Sequence, residues 1–313
     1  MKKPLVIISG PTSAGKTKLS IKLASAIGGE IISADSMQVY RHMNIGTAKI
    51  TPEEMQGIPH YLIDCLNPDE EFNVSVFKEL AGAALQNIYR NNHIPIIVGG
   101  TGFYIQALLK DVSFEEEDRS DGFREQLEEI AKSEEGIAHL YEQLKECDAD
   151  SAAAIPKQNV KRVIRALEFF HYHGYCISEH NRQESARESE YNYVYFVLEK
   201  DRDELYEGIE KRVDLMMEQG LLQEIDRLEQ LGYSDCTVAM QGLGYRQLLS
   251  YKRGECTLEE AVAKIKLETR HFAKRQLTWF RRENDVIYFN KSIESENDIA
   301  DSMLRILKER NII

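Results

Sequence analysis

The residues Gly10-Pro11-Thr12-Ser13-Ala14-Gly15-Lys16-Thr17 form a complete G-x-x-x-x-G-K-T loop. Its two glycines let the backbone turn so that successive N–H groups converge on phosphate oxygens. Lys16 adds a point charge, and Thr17 brings a hydroxyl suited to Mg²⁺. Average composition would produce those four fixed positions by chance in roughly 1% of chains this long. The flanks also fit. Leu5-Val6-Ile7-Ile8-Ser9 reads as a buried strand. Lys18 to Ile27 reads as a helix stopped by Gly28-Gly29, so phosphate would sit on a helix N-terminus.

What happens to that phosphate is a separate question. An enzyme that hydrolyses a nucleotide at such a loop also wants an acid at the end of another strand, to help hold Mg²⁺. The best later strand, Ile94 to Val98, runs into Gly99-Gly100-Thr101-Gly102 with no acid. Asp64, after Tyr61-Leu62-Ile63, is a weak substitute. Asp35, after the strand Ile31-Ile32-Ser33, is better placed, at the edge of a parallel sheet where sites are built. Asp35 can equally be a helix N-cap, and Thr101 can equally belong to a simple tight turn. Arg212 could be a surface ion pair along its helix, but Gly208, Ile209, Leu215 and Met216, three and four residues away, are not acidic, which points to a partner from elsewhere. Gln241-Gly242-Leu243-Gly244-Tyr245-Arg246 could grip or stack on a nucleotide, or merely connect two helices.

Two helices are strongly basic. From Lys264 to Arg282 there are seven basic residues and one acid. At 100° per residue Leu258, Ala261, Val262, Ile265, Phe272, Trp279 and Phe280 fall on one arc. Arg270, Lys274, Leu277 and Arg281 fall opposite, with Arg275 and Arg282 to one side. A solvated face normally mixes signs, so this one reads as contacting a polyanion. The shorter helix from Asn159 has Val160, Val163, Ile164, Leu167 and Phe170 as its apolar stripe, and Lys161, Arg162 and Arg165 on the other side. Together the two could clasp a phosphate backbone.

These residues need a scaffold. Strands are predicted at 4–9, 30–34 and 94–98, and helices at 16–27, 74–91 and 102–110. Such alternation gives an α/β core, a parallel sheet covered on both faces. Strand signals then vanish until Tyr193–Leu198 and Val286–Phe289, so a mainly helical insertion over 113–187 separates core segments 1–112 and 188–313. Glu179 to Tyr191 reads as a polar, mobile connector. Asp201-Arg202-Asp203-Glu204 and Thr257-Leu258-Glu259-Glu260 both read as capping boxes, the first helix ending at Gly220 and the second running toward Arg282.

Composition agrees with this organisation. The 313 residues suffice for one large domain or two modest ones. No run approaches a membrane span, and the N-terminal apolar segment is too short for a signal peptide. The five cysteines (Cys65, Cys147, Cys176, Cys236, Cys256) are scattered, which suits a reducing cytoplasm and carries no metal signature. Net charge is −13, but Ser113 to Asp150 holds fourteen acidic and four basic residues, a net of −10. The remainder is close to balanced, so the basic helices can still meet RNA through their local field.

Taken in order, these segments resemble the bacterial tRNA dimethylallyltransferases, also called tRNA isopentenyltransferases. The resemblance is carried by Gly10-Pro11-Thr12 through Lys16-Thr17, Asp35 to Tyr40, Ile45 to Lys49, Pro59 to Asp64, Val98 to Tyr104, Arg165 to Glu168, Arg212-Val213-Asp214, Gly242 to Arg246 and Lys274 to Arg281, over almost the whole chain. It implies transfer of a dimethylallyl group from dimethylallyl diphosphate to the exocyclic amine of the adenosine on the 3′ side of the tRNA anticodon. Asp35 would then be the general base and Thr101 would help position the amine. The loop from Gly10 to Thr17, including Pro11, Thr12, Ser13, Ala14 and Gly15, would hold the diphosphate. Lys16, Arg212 and Thr17 with Mg²⁺ would stabilise it. Asp35, Ser36, Met37, Gln38, Thr101, Lys161, Arg162, Arg165, Gln241, Gly244, Tyr245, Arg246, Lys274, Arg275 and Arg281 would touch the anticodon stem-loop, as would Arg124 in the insertion. No membrane and no obligate protein partner is called for. Three alternatives use the same loop: an ATP-dependent small-molecule kinase, a prenyltransferase acting on free adenine nucleotides, and a GTPase-like RNA-binding module. The first lacks its strand-end acid, the second leaves the basic helices unexplained, and the third lacks a guanine-reading Asn-Lys-x-Asp element.

Overall fold

The computed structural model describes residues 2–112, 121–233 and 237–313. Cys236 and the first residues of the expected insertion therefore lie outside the described residues. The chain divides into two compact units, Met1–Leu109 with Glu190–Ile313, and Lys110–Ser189.

The first unit opens with β1 (Lys3–Ser9), α1 (Lys16–Ile27), β2 (Gly29–Ala34), α2 (Pro52–Met55), β3 (His60–Tyr61), α3 (Val74–Arg90), β4 (Ile94–Gly99) and α4 (Gly102–Leu109). The second unit is helical: α5 (Phe123–Ile130), α6 (Glu134–Cys147), α7 (Ala149–Ala154), α8 (Val160–His173) and α9 (Ile177–Ala186). The first unit resumes with β5 (Tyr191–Glu199), α10 (Arg202–Glu218), α11 (Leu221–Gln230), α12 (Tyr245–Lys252), α13 (Leu258–Phe280), β6 (Val286–Asn290) and α14 (Glu296–Glu309).

All six strands are parallel, in the order β3-β2-β4-β1-β5-β6. Their apolar runs are continuous because both faces are covered, as a parallel sheet requires. Side chains alternate between two cores. Leu5, Ile7, Ile32 and Ile97 face Phe77, Leu85 and Ile105, together with Ile265 of α13. Val6, Ile8, Ile31 and Ile96 face Leu19 and Leu23 of α1 and Met303 and Leu307 of α14. The register aligns Ser9 with Gly99 and Ala34 with Gly99. Gly10, Asp35 and Gly100 therefore follow three neighbouring strands at one edge of the sheet.

Several local expectations are corrected. The segment read as a mobile connector holds α9, whose start is fixed when the Ser178 N–H donates to Asp148 Oδ2 at 3.0 Å. The Asp201 capping box does not form, because the Asp201 carboxylate accepts from Asn290 Nδ2 instead. The Thr257–Glu260 box does form. In α13 the buried stripe takes Ala273 and Gln276, while Phe272 is exposed. In α8 Phe169 is buried and Phe170 is exposed. The two-residue β3 was not legible as a strand. Asp64 just beyond it pairs with Lys49, on an edge strand separated from β1 by β2 and β4.

Candidate functional site

β1 delivers the chain into the glycine loop, and α1 begins directly after it. Gly15, the residue before α1, has φ +83°, a left-handed conformation that glycine adopts without steric cost. No side chain caps this helix and no acid lies in its first turn, so its N–H groups and positive dipole end are left for an anion. The Lys16 ammonium spans the loop, donating to the carbonyls of Gly10 at 2.9 Å and Pro11 at 2.8 Å.

Three charges meet here. The Lys16 pKa is lowered to about 8, chiefly by burial and then by the nearby Arg212 guanidinium, with Asp35 pulling the other way. Arg212, on α10, is likewise lowered by burial and raised by Asp35. Arg212 has no ion-pair partner among the described residues. Two desolvated cations beside one carboxylate leave a positive excess that a multiply charged anion would relieve.

Asp35 ends β2. Its Oδ1 accepts the N–H groups of Met37 at 2.8 Å and Gln38 at 3.2 Å. It therefore caps a turn rather than the helix that an N-cap reading would require, and Oδ2 has no hydrogen-bond partner among the described residues. Thr101 ends the neighbouring strand's loop and donates its N–H to the Ala34 carbonyl at 3.2 Å, which ties it to the residue before Asp35. The Thr101 hydroxyl has no partner among the described residues. Asp35 and Thr101 thus belong to adjoining backbone segments at the strand ends that border the phosphate loop.

The chain is similar to known proteins over most of its length. A family model described as IPP transferase matches residues 38–283. A tRNA dimethylallyltransferase of Lachnoclostridium phytofermentans is 56% identical over 312 residues, covering 99% of each chain. The chain belongs to the IPP transferase family. Among solved structures, the full-length tRNA isopentenylpyrophosphate transferase of Bacillus halodurans is 40% identical with a TM-score of 0.74, covering 99% of this chain and 98% of that one. A eukaryotic dimethylallyltransferase acting on tRNA is 29% identical with a TM-score of 0.82, covering 99% of this chain and 79% of that one.

Within this IPP transferase family member, the segments expected on the RNA side are partly brought together. Met37 packs directly on Gly242, so the Asp35–Gln38 turn meets the Gln241–Arg246 loop. The Gln38 amide is held by the carbonyls of Thr47 at 3.3 Å and Ala48 at 3.4 Å. Ser36 is half-buried in the same turn, and Gly244 has φ +98° just before α12. Tyr245 is a correction. Its side chain is fully buried and its hydroxyl donates to Glu224 Oε1 at 2.7 Å, so the ring is unavailable for stacking on a base. Arg246 is exposed but paired with Glu268.

The long basic helix divides in two. Lys266 pairs with Asp214 and Arg270 with Glu210, both acids on α10. Lys274, Arg275 and Arg281 are exposed and lack ion-pair partners among the described residues, with Arg275 lying over the Phe272 ring. In the helical unit, Lys161 and Arg162 are exposed. Arg124 is bound to Glu128 and Glu168, and Arg165 lies 3.5 Å from Glu168.

Three residues escaped the sequence reading. Glu224 is buried and accepts the N–H groups of Asn44, Ile45 and Gly46 as well as the Tyr245 hydroxyl, which shapes the loop beyond the Asp35 turn. Lys291, just past β6, brings its ammonium against the phosphate loop. A Cβ placed on Gly15 would lie 2.7 Å from it. Gln276 lies between the phosphate loop and Gly100. Only Glu224 left a trace, as an acid at a position that the amphipathic pattern of α11 assigns to the core.

Proposed function

We propose that this chain transfers a dimethylallyl group from dimethylallyl diphosphate to the exocyclic amine of the adenosine 3′-adjacent to the anticodon in tRNA, releasing diphosphate. The observation that carries the reading is the juxtaposition of two desolvated cations, Lys16 of the phosphate loop and Arg212 of α10, with an Asp35 oxygen that has no hydrogen-bond partner among the described residues. The full-length similarity to a protein named tRNA dimethylallyltransferase supports it.

The geometry suits the chemistry. An adenine amine is a poor nucleophile, since its lone pair is delocalised into the ring, so help must come from the leaving group. Lys16, Arg212 and the N–H groups at the start of α1 aim positive charge where diphosphate charge develops as the C–O bond breaks. The N–C bond forms, and the proton released by the amine passes to the Asp35 carboxylate. The Thr101 hydroxyl, on the adjoining loop, orients that amine. The adenosine must leave its stack to reach this edge.

Mg²⁺ fits the loop in a restricted way. Thr17, exposed in the first turn of α1, offers one hard hydroxyl donor, and no group of three His, Cys, Asp or Glu among the described residues is arranged to hold an ion. The ion would therefore be held by Thr17 together with diphosphate oxygens and water, and it would supply further neutralisation of the leaving group. In the first unit the RNA side would use the exposed cations at the end of α13 and the Asp35–Gln38 and Gln241–Arg246 loops; in the helical unit it would use Lys161 and Arg162 of α8. No helix among the described residues is long and apolar enough to cross a membrane. The test is direct: purified protein, labelled dimethylallyl diphosphate, and either tRNA or AMP as acceptor. Label should enter tRNA and not AMP, with release of one diphosphate per transfer. Labelling of AMP at a comparable rate would refute the macromolecular acceptor.

A further inference from the structure

We infer that Gln276 is a positioning residue that sets the phosphate loop against the Gly99–Gly102 loop, and so fixes the distance between the leaving-group site and the acceptor edge. The inference rests on the proposed function for what those two sites hold. Gln276 lies on α13 and is 7% exposed. Its Oε1 accepts the N–H of Thr12 at 3.0 Å, and its Nε2 donates to the carbonyl of Gly100 at 3.0 Å. One planar amide thus satisfies a part-buried donor in one loop and a buried acceptor in the other.

The polarity of that arrangement is fixed. Rotating the amide by half a turn would set N–H against N–H and C=O against C=O, which a buried site does not tolerate. The fit is also sterically tight, for a Cβ on Gly100 would stand 2.1 Å from Nε2 and 3.5 Å from the Gly10 carbonyl oxygen. Gly100 is therefore the only residue type that lets the two loops approach with this amide between them. The Thr12 N–H is committed to Gln276 and so shapes the loop, while the uncapped N–H groups at the start of α1 are left for an anion. Lys274 and Arg275, which lack ion-pair partners among the described residues, lie on the same helix, and Arg281 is its C-cap. Gln276 accordingly registers the helix proposed to meet RNA with both halves of the reaction site.

The test compares Gln276→Glu, Gln276→Met and Gly100→Ala with the wild type. The last perturbs the same amide without touching α13. Inorganic diphosphate binding is measured by calorimetry, KM for dimethylallyl diphosphate and kcat by label transfer, and tRNA affinity by filter binding. All three variants should weaken diphosphate about tenfold and raise KM similarly, as expected for one lost buried hydrogen bond, while tRNA affinity stays within twofold. A protonated glutamic acid carries one donor and one acceptor, as glutamine does. The Gln276→Glu variant should therefore regain diphosphate affinity as pH falls through its carboxyl pKa, a response that simple loss of packing would not give. Wild-type diphosphate affinity in the folded variants, or a Gln276→Glu deficit independent of pH, would overturn the inference. If none of the variants folds, hydrogen exchange at the wild-type Thr12 amide decides: slow exchange supports the bond, and exchange as fast as an exposed loop overturns it. A wild type that binds diphosphate with this dependence yet transfers no label would count against the proposed function and leave Gln276 as assigned.

Discussion

Lys16 should give the reaction an alkaline limit that can be read in the free enzyme. Burial and Arg212 together bring its pKa from 10.5 to about 8. Only the ammonium form neutralises diphosphate, so kcat/KM for dimethylallyl diphosphate should be level near pH 7 and bend near pH 8. Above that it should fall by about a factor of ten per pH unit, giving roughly a tenfold loss between pH 7 and 9. Bound diphosphate favours the charged lysine, so kcat at saturation should hold to higher pH, and binding near pH 8 should take up about half a proton. The stability effect has the opposite sign. Folding lowers the pKa of a base, so the penalty is fully present below pH 8 and fades as pH rises toward 10.5. Unfolding driven by this group therefore cannot cause the lost activity. Initial rates at saturating tRNA and constant ionic strength would supply the profile, and calorimetry in buffers of different ionisation enthalpy would count the proton. Lys16→Arg should remove the bend from any activity that remains, since a guanidinium keeps its charge throughout. A flat kcat/KM from pH 7 to 9.5 would refute the reasoning.

Other consequences can be checked with the same preparation. Asp35→Asn should lower kcat by roughly 10² to 10⁴, the usual range for a lost general base, with little change in Tm because asparagine can still accept the Met37 and Gln38 N–H groups. The same substitution removes the group that raises Lys16, so the alkaline bend should move below pH 8. Tyr245→Phe removes one of the two donors to Oε1 of the buried Glu224, leaving the Gly46 N–H, and should cost about 1.5–3 kcal/mol of stability, the range for a hydrogen bond to a charged group, by urea denaturation, with tRNA affinity largely retained. A loss of tRNA binding without loss of stability would restore Tyr245 to the RNA surface. ATP should not be consumed during transfer, and stoichiometric ADP would instead favour a kinase-like use of the loop. Replacing Lys274 and Arg281 together should flatten the dependence of log affinity for tRNA on log salt by roughly one to two units, whereas replacing Lys266 and Arg270, which are already paired, should leave that slope unchanged.

The parts of the fold that sequence disclosed are those dictated locally. The strand cores of β1, β2, β4 and β5 are apolar runs that only a doubly covered sheet can bury. The limits of α1 and the start of α13 are written in a glycine pair and a capping box. Where the sequence misled, a distant residue intervened. The Asp201 capping box looked complete until Asn290, 89 positions away, claimed the aspartate. The connector after Glu179 is polar throughout most of its length, and its helix starts under a buried aspartate that serves two elements, since Asp148 accepts from Ser151 and from Ser178. Phe170 and Phe272 fitted their apolar arcs within the tolerance of a helical wheel. Packing took Phe169 and Ala273 instead, one position away.

The site divides along the same line. A phosphate loop is legible because its function lies in consecutive backbone N–H groups at fixed spacing. Gln276 acts on that loop across 264 positions of sequence, and no local rule marks one glutamine in a basic helix as the residue that does so. The basic helix makes the point in charge. Seven cations against one acid looked like a single surface for a polyanion, yet Asp214 and Glu210 on α10 neutralise two of them. Of the five that remain, Lys264 stands apart and four, Lys274, Arg275, Arg281 and Arg282, cluster at the C-terminal end of the helix, around the buried amide that ties it to the phosphate loop and to Gly100. Paired cations add little at a salted surface, whereas unpaired ones can each release a counterion when they meet a phosphate. The RNA-facing charge and the chemistry are therefore most closely joined at that end of α13, and a change at Gln276 should be felt at the diphosphate before it is felt by the RNA.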